Sequence, residues 1–389
     1  MTLMPTSITQ LQQHPVIAAL ALFCLNCSTT QTSAPPASAA APHSIGSYGV
    51  GNVTIELDDE QRGRTFQAEI WYPAARSAEV DAEPIDFESN QADRQQLAQA
   101  YMLAPDDCPT RSIESMRDAP PVTRAEAFPL VIMSHCINCG RYSSYSIAER
   151  LASHGFVVAS PDHAGTLPFL QDEGPERLSV EQLDTRVDDL QFLLAQILEG
   201  GILSQHETVG SLGIDAERVG VIGHSFGAVT AGRLALQNPT ISAVVGLAAP
   251  FENPLFPGLS IEDLAQPMML VLAEEDNSIL EIGNTFIRTN YEDAVSPIWR
   301  VDIADAGHWS VSDLCGLTEA FQPGCGDGFR HSPERTGEPF QYLPVNQAIG
   351  ITQAYVGAFF VGHLLDRTDA FEYLNADSPD PRVTTYHRN

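Results

Sequence analysis

The chain has 389 residues, of which 43% are hydrophobic, 18% charged and 8% aromatic; this composition fits a globular α/β domain with a leader and insertions and excludes a disordered or fibrous protein. All 20 basic residues are arginine, which excludes Schiff-base chemistry, a Walker-type phosphate loop and a Ser-Lys dyad, since each needs a lysine amine. The net charge of −30 repels nucleic acid and anionic lipid, so we expect no nucleic-acid partner.

The N-terminal segment has the composition of a secretory leader. The apolar run 16–25 has the length of a signal-peptide core and is too short to span a bilayer. Cys27 follows in a context that resembles the lipidation site of bacterial lipoproteins, and Ala-Ser-Ala at 37–39 offers an ordinary cleavage site instead. We expect a signal peptide over 1–27, a Ser/Ala/Pro-rich linker over 28–44, and export to the periplasm, the medium or a lipid-anchored position at the envelope. A disordered cytoplasmic N-terminus is the alternative, and N-terminal sequencing of the mature protein distinguishes the two.

The seven cysteines also fit an exported protein. Cys315 and Cys325 flank a loop rich in proline and glycine, so we expect a local disulfide between them. The spacing of Cys136 and Cys139 admits a redox pair or half of a zinc site, but no second Cys or His pair at metal spacing accompanies it. We therefore expect no metal, and the pairing of Cys108, Cys136 and Cys139 stays open.

From residue 44 onward, short β-rich runs alternate with helical ones. The alternating pattern over 50–57 and 66–72 predicts a hairpin of half-buried strands. Later runs are continuously apolar, as in strands covered on both faces of a parallel sheet: 130–134, 156–160, 219–223, 243–247, 268–272 and 298–303. Helical patterns cover 143–153, 180–198, 226–236, 280–291 and 346–365. The repeated strand–helix–strand order predicts a mostly parallel, doubly wound sheet of about eight strands with helices on both faces.

Three further segments have patterns that differ from this regular alternation. Residues 81–127 are polar and contain several prolines, so we expect an insertion or cap rather than sheet. Residues 376–389 are expected to form a polar tail, which leaves 45–375 as the folded domain. The helix over 346–365 contains Gln, Thr, His and Gly, which favours docking on the sheet over a membrane span.

The sequence Gly-His-Ser-Phe-Gly at 223–227 lies between a predicted strand and a predicted helix, which is the context of a nucleophile elbow. The sharp turn strains the backbone of Ser225, so the residues two positions away on either side must be very small. The serine also lies at a helix N-terminus, which favours developing negative charge. We predict that Ser225 is a nucleophile; the alternative, a glycine-rich structural turn, leaves the serine unexplained.

A serine hydroxyl needs a base to take its proton, and the base needs an orienting carboxylate. After two of the predicted strands the chain reads Glu-Glu-Asp at 274–276 and Asp-Ala-Gly-His-Trp at 305–309. Both turns follow the carboxyl ends of parallel strands, where such sheets build their sites. We predict that His308 is the base and Asp276 the acid, with Glu252 as the alternative acid.

An oxyanion hole needs two backbone N–H donors aimed at the tetrahedral oxygen. Phe226, which follows the nucleophile, is predicted to supply one donor. Ile137, in the loop after the strand 130–134, is predicted to supply the other, with Cys136 as the alternative. Phe226 and Trp309 lie in sequence beside the nucleophile and the base, which fits an apolar acyl pocket and equally fits core packing. Trp309 and Cys136 are the residues expected to bind the substrate.

Two further histidines lie beside these motifs. His135 is predicted to be a structural histidine of its loop rather than a second base. His224 precedes the nucleophile, but its side chain points away from the nucleophile in an elbow, so we expect it to support the site.

On these residues, the chain resembles the α/β-hydrolase superfamily, and more closely bacterial relatives of platelet-activating-factor acetylhydrolase and the predicted dienelactone hydrolases. The similarity is carried by Phe-Pro-Leu at 128–130 leading to Ser-His at 134–135, Leu-Ala-Ser-His-Gly-Phe-Val-Val at 151–158, Ser-Pro-Asp-His at 160–163 and the elbow at 223–227. True dienelactone hydrolases use a cysteine nucleophile, so Ser225 favours general ester hydrolysis. The resemblance places Asp276 as in cutinase-like and polyester-hydrolysing relatives, whereas the acetylhydrolase takes its acid after the sixth strand, which keeps Glu252 as an alternative.

These inferences predict an exported serine esterase with a Ser-His-Asp triad and no metal or cofactor. Its substrate would be a small-molecule, lipid or polymer ester, and short-chain acyl esters are favoured. A phospholipid or platelet-activating-factor-type acetylhydrolase and a cutinase-like polyester hydrolase are alternatives within this class. An acyltransferase, a peptidase or a non-catalytic binding protein on the same fold are alternatives of another class.

Overall fold

The computed structural model describes residues 40–75, 83–84, 112–163, 178–317, 321 and 324–388. The predicted signal peptide, most of the linker and much of the 81–127 insertion lie outside the described residues. The chain from Ser38 onward forms one compact unit.

A ten-stranded mixed sheet organises this unit. In chain order the strands are β1 (Gly49–Asp59), β2 (Arg64–Ala74), β3 (Glu83–Pro84), β4 (Ser112–Ile113), β5 (Ser115–Arg117), β6 (Phe128–Ser134), β7 (Val157–Pro161), β8 (Ile214–His224), β9 (Ile241–Leu247), β10 (Met268–Ala273), β11 (Ile298–Ile303), β12 (Asp327–Phe329), β13 (Pro339–Gln341) and β14 (Val383–Arg388). The spatial order of the large sheet is β14-β11-β10-β9-β8-β6-β7-β2-β1-β5, while β3 pairs with β4 and β12 with β13. From β11 to β7 every neighbouring pair is parallel, and β2 and β14 add antiparallel strands at either side.

Helices cover both faces of this sheet. They are α1 (Tyr145–Ser153), α2 (Val180–Leu198), α3 (Phe226–Gln237), α4 (Leu280–Asp293), α5 (Val345–Leu365) and α6 (Thr368–Asn375). Alternate residues of β6 point to opposite faces of the sheet. Val131 and Met133 pack in one apolar cluster, together with residues of α1, α5 and α6. Leu130 and Ile132 pack in the other, together with residues of α2 and α3. The predicted doubly wound, mostly parallel architecture is confirmed.

The helix α5 is long and apolar enough to cross a membrane, judged by length and composition alone. It is nevertheless a core helix in this fold. Phe359 and Phe360 are fully buried, and both belong to the apolar cluster on one face of the sheet. The predicted docking of this helix on the sheet is confirmed.

Three expectations about the fold are wrong. The sheet has ten strands rather than about eight, because one additional strand forms at each of its two edges. The strand β5 lies within the 81–127 insertion and pairs with β1, and β14 lies within the predicted polar tail and pairs with β11. Edge strands are held by backbone hydrogen bonds on one side only, so a short or largely exposed sequence can form them without an apolar pattern.

Candidate active site

The turn between β8 and α3 carries Ser225 in the left-handed region of backbone conformation, with φ of 56°. A Cβ atom on Gly223 would lie 1.9 Å from the carbonyl oxygen of Gly227, and one on Gly227 would lie 2.0 Å from the carbonyl oxygen of Ser134. Only glycine fits such approaches of backbone to backbone. The predicted need for very small residues on both sides of Ser225 is therefore confirmed.

Three side chains that are distant in sequence meet above the sheet. The Nε2 atom of His308 lies 2.8 Å from Oγ of Ser225, and its Nδ1 atom lies 2.7 Å from Oδ2 of Asp276. Because a carboxylate only accepts, Nδ1–H of the histidine donates to Asp276, and the lone pair on Nε2 faces the serine hydroxyl. The geometry is that of a nucleophile, a base and an orienting acid.

The carboxyl ends of parallel strands bring these groups together. Ser225 follows β8, Asp276 follows β10 and His308 follows β11, and the last two side chains are fully buried. The second carboxylate oxygen of Asp276 accepts backbone N–H groups of Ser278 and Ile279, both at 2.8 Å. These bonds fix the acid before any substrate is bound.

The alternative acid has a different partner. Oε2 of Glu252 accepts the backbone N–H of Ile261 at 2.7 Å, which stabilises the loop after β9. The carboxylate on Nδ1 of His308 is that of Asp276. The structure thus places Asp276, and not Glu252, in contact with the base.

Two aromatic side chains pack behind His308. Nε2–H of His224 donates to the backbone carbonyl of His308 at 3.0 Å, and burial, followed by the charge of His308, lowers the pKa of His224 to about 3. Trp309 is 8% exposed and packs edge-on against His308 and Phe321, with ring centroids 4.8 and 4.9 Å apart. His224 thus contacts the backbone of His308 and Trp309 packs against its ring, while the supporting role of His224 and the contact of Trp309 with substrate stay predictions.

The loop that carries Ile137 lies against the first turn of α3, which begins at Phe226. The two backbones approach closely, since a Cβ atom on Gly227 would also lie 2.8 Å from the carbonyl oxygen of His135. The structure therefore places both predicted donor segments beside the nucleophile. Cys136 forms a disulfide with Cys139 and its side chain is fully buried, and its expected contact with substrate stays a prediction.

The predicted disulfide between Cys315 and Cys325 is wrong. Cys315 is a buried thiol, whereas Cys325 is disulfide-bonded to a different cysteine. The Sγ atom of Cys315 lies close to Gly324, since a Cβ atom added to that glycine would be 2.5 Å from the sulfur.

The hairpin β12–β13 is fastened beside the acid through Glu275, and no motif in the sequence marks it. The buried carboxylate of Glu275 accepts from the guanidinium of Arg330 at 2.8 Å, from the hydroxyl of Ser332 at 3.0 Å and from the backbone N–H of His331. Burial acts to raise the pKa of Glu275, but these bonds outweigh it and hold the pKa below its usual range. Asn277, which follows Asp276 in the chain, lines an open pocket of about 870 Å³ formed largely by this hairpin.

A second Ser-His-Asp arrangement lies beneath the loop of Ile137. Oγ of Ser134 is 3.1 Å from Nε2 of His163, and Nδ1 of His163 is 3.2 Å from Oδ2 of Asp189. All three residues are buried. Asp189 and Arg186 interrupt the otherwise apolar buried face of α2, and this interruption is the sequence signal that could have drawn attention to both.

Comparison with known proteins gives partial matches that agree with this geometry. The family described as platelet-activating factor acetylhydrolase, isoform II, matches residues 35–167, and the dienelactone hydrolase family matches residues 119–294. A solved structure described as a ferulic acid esterase from Streptomyces cinnamoneus has a TM-score of 0.62 at 22% identity, and the match covers 87% of this chain and 96% of that one. This chain has the α/β-hydrolase fold.

Curated relatives of this chain match over shorter stretches. Cutinase est2 of Thermobifida alba is 32% identical over 130 residues, which are 33% of this chain and 36% of the relative. A platelet-activating factor acetylhydrolase of Canis lupus familiaris is 29% identical over 143 residues, which are 28% of this chain and 32% of the relative. The chain thus spans about a third of the length of these relatives. The predicted resemblance to the acetylhydrolase and dienelactone hydrolase families is confirmed.

Proposed function

We propose that this α/β-hydrolase is a serine esterase that cleaves carboxylic esters through Ser225, His308 and Asp276. The observation that carries the proposal is the continuous hydrogen-bonded chain from the serine hydroxyl through the imidazole to the buried carboxylate, with links of 2.8 and 2.7 Å. The similarity to cutinases and acetylhydrolases supports the ester class.

The reaction follows from the roles of these groups. Nε2 of His308 takes the proton of Ser225 as Oγ attacks the ester carbonyl carbon, and Asp276 stays ionised and stabilises the imidazolium. The backbone N–H groups of Phe226 and Ile137 stabilise the tetrahedral oxyanion. The imidazolium then protonates the departing alcohol, and a water molecule deprotonated by His308 cleaves the acyl-enzyme.

The substrate class follows from charge and surface. A net charge of −30 disfavours anionic substrates. The pocket next to Asn277 includes Phe340 and the 65%-exposed Phe329, which provide apolar surface beside the acid. Short-chain acyl esters are the favoured substrates, and phospholipids or polyesters are alternatives for which the same apolar surface offers room. Export is part of the proposal and is supported by the apolar run 16–25.

The first test is hydrolysis of p-nitrophenyl acetate by the wild type and by Ser225→Ala. Loss of the nucleophile should lower kcat by a factor on the order of 10⁶, because the residual rate comes only from binding and the oxyanion hole. The matched control is Ser242→Ala, at the amino end of β9, which should keep wild-type activity. Activity of Ser225→Ala near that of the control would contradict the proposal.

A substrate series then separates the alternatives. We expect p-nitrophenyl acetate and butyrate to exceed longer acyl chains in kcat/KM, with a short-chain phospholipid and a polyester film measured in parallel. Amide cleavage or acyl transfer to an added alcohol that exceeds hydrolysis of a matched ester would favour a peptidase or an acyltransferase instead.

A further inference from the structure

Arg186 is an arginine of α2 whose side chain is fully buried. Its Nη1 donates to the backbone carbonyl of His135 at 2.6 Å, and its Nη2 donates to that of Cys136 at 2.9 Å. A buried charge is costly unless its N–H groups find acceptors. The presence of a guanidinium here therefore indicates that its hydrogen bonds have a role that an apolar side chain could not fill. Both of its acceptors lie in the loop that leads to Ile137.

The carbonyl of Cys136 and the N–H of Ile137 belong to one peptide group. In a trans peptide these two bonds point in opposite directions, so a donor that fixes the carbonyl also fixes the direction of the N–H. Nδ1–H of His135 donates to the same carbonyl at 2.7 Å. Two donors therefore hold this peptide plane, and polarisation of its carbonyl strengthens the N–H as a donor.

His135 is neutral, and its tautomer makes Nδ1 the donor. Burial, followed by the charges of Arg186 and His163, holds the pKa of His135 well below its usual value. Its Nε2 atom accepts the backbone N–H of His163 at 3.2 Å, which leaves the proton on Nδ1, facing the carbonyl of Cys136.

The same guanidinium also contacts the other donor segment. The Cζ atom of Arg186 lies 5.0 Å from the ring centroid of Phe226, the residue that follows the nucleophile. Arg186 is thus in contact with both segments that carry the predicted oxyanion donors, from the side of the helix α2.

We propose that Arg186 is the positioning residue of the oxyanion hole: with His135 it holds the carbonyl of Cys136, and thereby aims the N–H of Ile137 away from α2 and toward the tetrahedral oxygen. The proposal rests on the serine esterase function proposed above. Arg186 acts through the peptide group and does not contact the substrate.

The test compares Arg186→Lys and Arg186→Met with a matched control, Arg300→Lys. Arg300 is also buried, but its guanidinium pairs with Asp302 on β11. We expect kcat for p-nitrophenyl acetate to fall about 10-fold for Arg186→Lys and about 10²-fold for Arg186→Met, with KM within about threefold of the wild type, because a misdirected oxyanion donor affects the transition state and not substrate binding. The affinity of a phenylboronic acid, which forms a tetrahedral oxyanion adduct with the serine, should fall in parallel, and the preference for an ester over its thionoester should shrink.

Stability alone would not produce that pattern, so melting temperatures are measured for each variant. If Arg186→Met fails to fold, Arg186→Lys and His135→Gln, which removes the second donor, decide the question. Values of kcat, boronate affinity and thionoester ratio in those variants equal to those of Arg300→Lys would overturn the positioning role while leaving the esterase proposal intact. Full activity of Ser225→Ala would instead remove the proposed function itself.

Discussion

The described part of the chain contains two Ser-His-Asp arrangements with the same atoms in the same order, and they differ in backbone conformation and in charge. In one, Oγ of Ser225 and a carboxylate oxygen of Asp276 lie 2.8 and 2.7 Å from His308. In the other, Ser134 and Asp189 lie 3.1 and 3.2 Å from His163. Two triads of the same composition can therefore differ in reactivity, because the backbone and the charges around them differ.

The backbone is the first difference. Ser225 occupies a strained turn between a strand and a helix, with φ of 56°, and it is 9% exposed. Ser134 is the last residue of β6, and its side chain is 3% exposed. The elbow presents a hydroxyl at the end of the sheet, whereas Ser134 lies below the loop that leads to Ile137.

The charges form the second difference. The carboxylate of Asp189 accepts from the guanidinium groups of Arg62 and Arg64 at 2.9 to 3.0 Å, so its charge is already engaged. Burial, followed by the charges of Arg186 and Arg64, holds the pKa of His163 well below its usual value. An imidazole that resists protonation is a poor general base, and we propose that this set supports the loop that leads to Ile137 instead.

Replacing the acids in parallel gives the largest contrast. Asp276→Asn should lower kcat by about 10⁴, because the amide no longer fixes the tautomer of His308 or stabilises its charged form. Asp189→Asn should lower kcat far less and instead lower the free energy of unfolding by about 2 kcal/mol, because two arginines lose their charged acceptor. Steady-state kinetics and urea unfolding of both variants make the measurement, and equal losses of kcat would contradict the division of roles.

A smaller effect concerns pH and the supporting set. The pKa of His163 is lower in the folded protein than in the unfolded chain, where it is near 6.5. Below about pH 6.5 the unfolded chain therefore binds a proton that the folded protein does not, and stability falls as pH falls. The free energy of unfolding of the wild type, relative to that of His163→Gln, should decline by up to about 1.4 kcal/mol per pH unit in that range. Urea unfolding at pH 7.5, 6 and 5 measures this, and parallel curves for the two proteins would contradict it.

The residues that sequence could locate are those whose environment is local. The elbow at 223–227 is recognised by the strand before it and the helix after it. The buried strands are recognised by their runs of apolar residues. The turns that carry Asp276 and His308 follow such strands, so their convergence follows from the parallel order of the sheet. These features were accessible without coordinates.

The features that sequence could not supply depend on tertiary neighbours. The strand β14 has mostly exposed side chains and exists because β11 offers it an open edge. Cys315 stays a buried thiol and does not pair with Cys325, although the two lie close together in sequence. The roles of Arg186 and Asp189 depend on a loop about fifty residues earlier in the chain. Helical periodicity alone does not predict contacts at that separation.

Labelling with a fluorophosphonate, followed by peptide mapping, tests the central claim most directly. The probe reacts only with a serine hydroxyl that a neighbouring base activates, so it compares the two arrangements in one molecule. The account predicts stoichiometric modification of Ser225 and none of Ser134. Modification of Ser134 in place of Ser225, or of neither serine in folded protein, would contradict it.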